Sequence, residues 1–216
     1  MARDDIRDLS DRAPLAAWEG EFGRAYTDRN TIAPEVIAPA FQTMLHGLDL
    51  RRVLEVGCNR GHNLLAIERV LETPAELTGI EPSPYALEIA RQAVTSATFL
   101  RGTAYDLPFP DDHFDLVFTA GVLIHIPPPE LPRALAEIHR VSRRYLLALE
   151  YQADRETPVP YRGHDGLLWK RDFLRAYQES FPGLSLRRQG FWARGGGFDG
   201  WFDDLTWWLL EKPARP

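Results

Sequence analysis

Apolar positions in this chain fall into short runs separated by longer amphipathic stretches. Val53-Leu54-Glu55-Val56, Thr78-Gly79-Ile80, Phe99-Leu100, Phe114 to Val122 and Tyr145 to Glu150 read as five strands. Between them, Asn63 to Leu71 spreads Leu64, Leu65, Ile67, Val70 and Leu71 broadly, as on a helix packed against a sheet. Pro84 to Val94 reads as a second helix, capped by Ser83 and with Pro84 in its first turn. Pro128 to Val141 is a third, with Leu131, Leu135, Ile138 and Val141 on its apolar face. Strands alternating with helices predict right-handed crossovers and a parallel sheet with its ligand at the strands' C-terminal ends. A further helix from Trp169 to Phe181, then strands at Leu184–Trp192 and Asp204–Leu210, would complete a doubly wound, mostly parallel seven-stranded α/β sheet. Trp207 and Trp208 alternate faces, so one is expected in the core and the other exposed or at an interface. Arg194-Gly195-Gly196-Gly197 reads as a hairpin connection, because no helix follows it.

Before the first strand, Ala33 to Leu48 reads as a helix, while Trp18 to Asn30 mixes aromatic and polar residues with no clean period. The expected organisation is one domain: a helical cap (1–50), a core (51–152), a loop acting as a lid (153–168) and a C-terminal helix with two strands (169–216).

The turn after the first strand carries the chemistry. Glu55-x-Gly57-x-x-x-Gly61 ends a strand with a carboxylate and two glycines that can turn sharply and approach a ligand. Asn59 between them tolerates a left-handed backbone. The spacing is neither the dinucleotide fingerprint nor a P-loop, and by itself it equally fits an ordinary strand-to-helix turn. Glu81 ends the second strand about 20 residues beyond Gly61, the place from which a carboxylate binds ribose hydroxyls. Asp106 follows the third strand, so three strand ends each bring a polar group to one cleft.

Glu55-Val56-Gly57-Cys58-x-x-Gly61, Gly79-Ile80-Glu81-Pro82-Ser83, Asp106-Leu107-Pro108-Phe109 and Phe114-Asp115-Leu116-Val117-Phe118 together resemble the ordered motifs of class I S-adenosylmethionine-dependent methyltransferases. The resemblance implies a Rossmann-like sheet and S-adenosylmethionine as cofactor. It places Glu55, Gly57 and Gly61 at the methionyl part, Glu81 at the ribose and Asp106 at the adenine amine, with Cys58, Asn59, Pro82, Ala104 and Ala120 also at the cofactor. The family's middle glycine is Asn59 here. More narrowly, Glu21-Phe22-Gly23-x-x-Tyr26-Thr27-x-Arg29-Asn30, Gly121-Val122-Leu123-Ile124-His125-Ile126 and Pro160-Tyr161-Arg162-Gly163-His164 are similar to methylases associated with pseudaminic acid biosynthesis. That similarity implies a small polar or sugar-acid acceptor, with Arg24, Arg29 and Arg162 as carboxylate partners and Asn30, Glu150, Tyr161 and His164 also at the substrate.

Two readings stand for most of these side chains. The cap is either packing over the sheet edge or part of the substrate pocket, with Tyr26 against the sulfonium. His125, at the mouth of the cleft, is either structural or a general base. The loop from Glu150 to Gly166 is either a solvated connection or a lid. An Asn/Asp-Pro-Pro-Tyr/Phe motif, as in enzymes that methylate bases or protein amides, is absent after the fourth strand, which favours a small molecule.

Composition narrows the partners. A net charge of -6 argues against nucleic acid or an anionic membrane. One cysteine, Cys58, excludes an internal disulfide and a cysteine-based metal site, so a cytoplasmic protein without a metal is expected. The first residues lack a signal peptide's apolar core, and no apolar run is long enough to span a membrane. Use of the same cofactor without methyl transfer, or a scaffold that retains only the fold, remain competing readings; oligomeric state is not encoded in any motif.

Overall fold

Five of the apolar runs pair side by side, and all but the edge run at Phe99 are buried along most of their length. The computed structural model describes residues 13–193 and 204–214. In it β1 (Arg52–Val56), β2 (Glu76–Glu81), β3 (Ala97–Arg101), β4 (Phe114–Ala120) and β5 (Ser142–Glu150) run parallel. A small two-stranded ladder follows, β6 (Thr157–Pro158) with β7 (Trp169–Lys170), and then β8 (Ser185–Trp192) and β9 (Leu205–Glu211). The last two join the main sheet antiparallel, giving the order β3-β2-β1-β4-β5-β9-β8. The strand order reverses between β1 and β4, and ligands of open parallel sheets bind at such a switch point.

The helices are α1 (Ala13–Glu19), α2 (Glu21–Arg29), α3 (Pro34–Leu45), α4 (His62–Val70), α5 (Pro84–Ala93), α6 (Leu131–Val141) and α7 (Phe173–Ser180). Residues of α3, α4 and α5 share one buried cluster with one face of the sheet, and residues of α6 and α7 share another with the opposite face. Both tryptophans of β9 are therefore buried, Trp207 in the first cluster and Trp208 in the second. The expected alternation holds, but neither ring is exposed, because helices cover both faces of the sheet.

Two other expectations change. Trp169 and Lys170 pair with Thr157 and Pro158 as a strand, so α7 begins only at Phe173, where the Asp172 carboxylate accepts the Arg175 N–H at 2.9 Å. Trp18 to Asn30, which lacks an apolar period, is helical on both sides of Gly20. Its buried positions are Gly23 and Thr27, so small size takes the place of hydrophobicity at this contact. A Cβ on Gly23 would lie 1.8 Å from the Trp18 carbonyl oxygen, which shows how closely the two helices approach. The proposed Arg194–Gly197 connection lies outside the described residues. No helix of the described residues is long and apolar enough to cross a membrane.

Candidate active site

Three left-handed residues shape the loop between β1 and α4: Gly57 (φ 78°), Asn59 (φ 44°) and Gly61 (φ 76°). A side chain at Gly57 would strike Val122, 2.5 Å away, so the loop sits flush against the segment after β4. Glu81, at the end of β2, accepts the Asn59 N–H through Oε2 and the Ser83 N–H through Oε1, both at 2.9 Å. Burial still pushes its carboxyl up from the ordinary range. Glu55, fully buried behind the loop, accepts a 2.6 Å bond from the Asn63 amide, while its Oε2 has no partner among the described residues. Burial raises its carboxyl well above the usual range.

Asn59 uses its side chain as well as its backbone. Its amide donates to the Thr27 hydroxyl at 3.1 Å, and that hydroxyl donates to the Gly23 carbonyl at 2.9 Å. The cap helix α2 is thereby tied to the glycine loop, a role the family's usual glycine could not fill.

A cavity opens above these strand ends. Gly57, Cys58, Asn59, Glu81, Pro82, Ala104 and Ala120 line it as expected, and Trp18, Tyr26 and His125 close over it. Thr103 and Tyr105 also line it, whereas Asp106 does not. The chain meets the cavity directly after Gly102, and the Thr103–Asp106 bridge turns the Asp106 carboxylate out to solvent. Proximity to the strand end, more than charge, was the signal for Thr103.

His125 sits on a short turn after β4 and packs against Trp18 and Tyr161, with ring centroids at 4.5 and 5.2 Å. Its Nδ1 contacts the Leu167 carbonyl. A carbonyl only accepts, so Nδ1 carries the hydrogen and Nε2 keeps a lone pair. Burial lowers the imidazole to about 4, which keeps it neutral near pH 7.

Glu150, expected at the substrate, lines neither cavity. It is fully buried at the end of β5 and accepts the N–H groups of Val122, Leu123 and Ile124 at 3.2, 3.1 and 3.3 Å. It holds the His125 turn from beneath, and burial raises its carboxyl to about 7. From the other side, buried Arg171 donates to the Ile126 carbonyl at 2.9 Å and pairs with Glu156 of the loop at 3.2 Å.

A second cavity, of about 280 Å³, adjoins the first through Tyr26, Asn30, Ala120 and Gly121. Arg29, Tyr161 and Arg162 line it. Arg24 and His164 line neither cavity. Arg24 faces outward on α2 and lies 4.9 Å above the Tyr85 ring, fastening α2 to α5, while the His164 ring packs 5.3 Å from Phe22. Asn63 and Tyr151 are lining residues that carried no sequence motif. Among the described residues no group of His, Cys, Asp or Glu could hold a metal ion.

A glycine loop after β1, an acid after β2 and a seven-stranded sheet with an antiparallel edge define the class I methyltransferase fold, whose cofactor is S-adenosylmethionine. Residues 53–144 match the family described as a methyltransferase domain. Over 94 residues the chain is 38% identical to 2-methyl-6-phytyl-1,4-hydroquinone methyltransferase 2, chloroplastic, of Oryza sativa subsp. japonica, covering 43% of this chain and 26% of that protein. Over 110 residues it is 35% identical to demethylmenaquinone methyltransferase of Lactiplantibacillus plantarum, covering 47% and 46%. The chain thus spans between about a quarter and a half of the length of these curated relatives. The Burkholderia thailandensis 1,6-didemethyltoxoflavin-N1-methyltransferase, solved with its substrate and S-adenosylhomocysteine, shares the fold at a TM-score of 0.66. It is 17% identical, with 94% of this chain and 87% of that one aligned.

Proposed function

We propose that this protein is an S-adenosylmethionine-dependent methyltransferase acting on a small molecule. The observation that carries the reading is the pair of adjoining cavities, one over the glycine loop and Glu81, the other under Tyr161 and Arg162. The cofactor would supply a methyl group already activated on a sulfonium. The first cavity suits it: Glu81 can accept from ribose hydroxyls, the left-handed loop admits close approach, and Tyr26 presents an aromatic ring where positive charge would lie. The chain's own work is then alignment, exclusion of water and removal of a proton. His125 holds an Nε2 lone pair at the cavity wall, able to take the proton from an acceptor hydroxyl or amine. Glu150 and Arg171 position the turn that carries it. Trp18 and Tyr26, with the 153–168 lid, would keep water out.

The relatives' names point to hydroquinone- and menaquinone-type acceptors, and the resemblance to pseudaminic acid-associated methylases points to a sugar acid. Within this reading the enzyme works in a reducing cytoplasm, which suits its single buried thiol. Incubating the pure protein with S-adenosylmethionine and candidate acceptors, followed by chromatography of the spent cofactor, tests the reading. S-adenosylhomocysteine together with a methylated acceptor is expected. Methylthioadenosine formed only with active protein would replace methyl transfer by cyclisation or aminocarboxypropyl transfer.

A further inference from the structure

The second cavity has a chemical character that its neighbour lacks. Two arginines, Arg29 and Arg162, line it, and no Asp or Glu does so among the described residues. This is a positively charged chamber in a chain whose net charge is -6, so its sign does not follow from composition. Neither guanidinium pairs with a carboxylate among the described residues. Guanidinium forks match carboxylates in plane and in hydrogen-bond spacing.

Tyr26, Asn30, Asn63, Tyr151 and Tyr161 bring polar atoms to the rest of the lining, and one wall of it is apolar. Ile37, Phe41 and Met44 of α3 reach it, together with Leu149 of β5 and the Trp192 ring. The first four are buried, at 3%, 2%, 0% and 4% exposure, and belong to the apolar cluster that α3, α4 and α5 share with the sheet. A cavity of about 150 Å³ can hold a benzene ring, so about 280 Å³ takes a ring or short chain with an arm. Hydroxyls set against such a wall would lose water without gaining partners.

We infer that the second cavity is an acceptor site for an amphipathic carboxylic acid, its apolar ring or chain against the α3 wall and its carboxylate held by Arg29 and Arg162. Tyr26 and Asn30, shared by both cavities, mark where the acceptor's reacting hydroxyl or amine would meet the first chamber. This inference rests on the methyltransferase reading only for the word acceptor; the site itself is defined by the lining.

Calorimetry on protein saturated with S-adenosylhomocysteine, and on cofactor-free protein, tests it with 4-hydroxyphenylacetate and octanoate, their uncharged amides, and galacturonate. Each acid should bind at least about 10-fold more tightly than its amide, and galacturonate more weakly than both acids. In the double variant Arg29→Gln/Arg162→Gln, whose altered side chains are exposed, the preference for acid over amide should shrink below about 3-fold while S-adenosylhomocysteine affinity is unchanged. Equal binding of acid and amide, tighter binding of galacturonate, or no binding of either acid would overturn the inference. Absence of S-adenosylhomocysteine binding would instead remove the methyltransferase reading and leave the acid-site result to be read from the cofactor-free titration.

Discussion

Glu81 is the residue on which the cofactor assignment can be tested most directly. It already fixes the glycine loop through the Asn59 N–H and the next turn through the Ser83 N–H. Glu81→Ala should therefore weaken S-adenosylhomocysteine binding by roughly 1.5–3 kcal/mol, read by calorimetry. An unaffected affinity would move the ribose elsewhere. His125→Ala should cut turnover about 10²- to 10⁴-fold while the cofactor still binds, because the imidazole lies over the cavity and not in the loop beneath it. The places of Glu81 and Gly57 on the cavity wall were legible once the motifs were taken together, since the glycine spacing by itself equally fits an ordinary turn. Asp106, Arg24 and Glu150 were not, because each is polar near a strand end or a cap and only the direction of its side chain separates lining from scaffold. Glu150 illustrates the difficulty: a carboxylate at the end of a central strand looks the same in sequence whether it points up at a ligand or down at three backbone N–H groups.

At the scale of elements, the five parallel strands and their crossover helices were readable because the short apolar runs alternate with amphipathic stretches, one of them capped by Ser83. The helices α1 and α2 were not, since their contact is made through a glycine and a threonine in place of an apolar stripe. That contact is also their weak point. Gly23→Ala would drive a methyl group into the Trp18 carbonyl, and α1 should separate from α2. The expected result is a loss of roughly 1–3 kcal/mol in stability and weaker S-adenosylhomocysteine binding, checked by thermal melting and calorimetry. The ladder of β6 and β7 was missed for another reason: two residues per strand are too few for any period to show.

For the whole molecule, burial of ionisable groups sets the pH dependence of stability. Glu150 is raised from 4.5 to about 7, so its contribution is fully present below pH 4.5 and is lost as pH rises through 7. His125 is lowered from 6.5 to about 4, so its contribution is present above pH 6.5 and is lost as pH falls through 4. The two oppose each other between pH 4.5 and 6.5 and nearly cancel there. The raised carboxyls of Glu55 and Glu81 act in the same direction as Glu150. The cofactor-free protein should melt at a lower temperature at pH 8 than at pH 6, with Glu150 contributing on the order of 1 kcal/mol between those two pH values. Glu150→Gln should flatten this slope; a melting temperature that rises from pH 6 to pH 8 would contradict the burial argument.

Trp18 gives the chain a built-in optical reporter. Its indole N–H is buried without a partner among the described residues, and its ring lies 4.5 Å from that of His125. A charged imidazolium quenches indole emission by accepting an electron from the excited ring, whereas a neutral imidazole quenches far less. The fluorescence that Trp18→Phe removes should therefore dim as the solution is acidified towards pH 4, reporting the protonation of His125 without a label. A ligand in the first cavity would displace that dimming along the pH axis, so light emission and proton uptake can be followed on one side-chain pair.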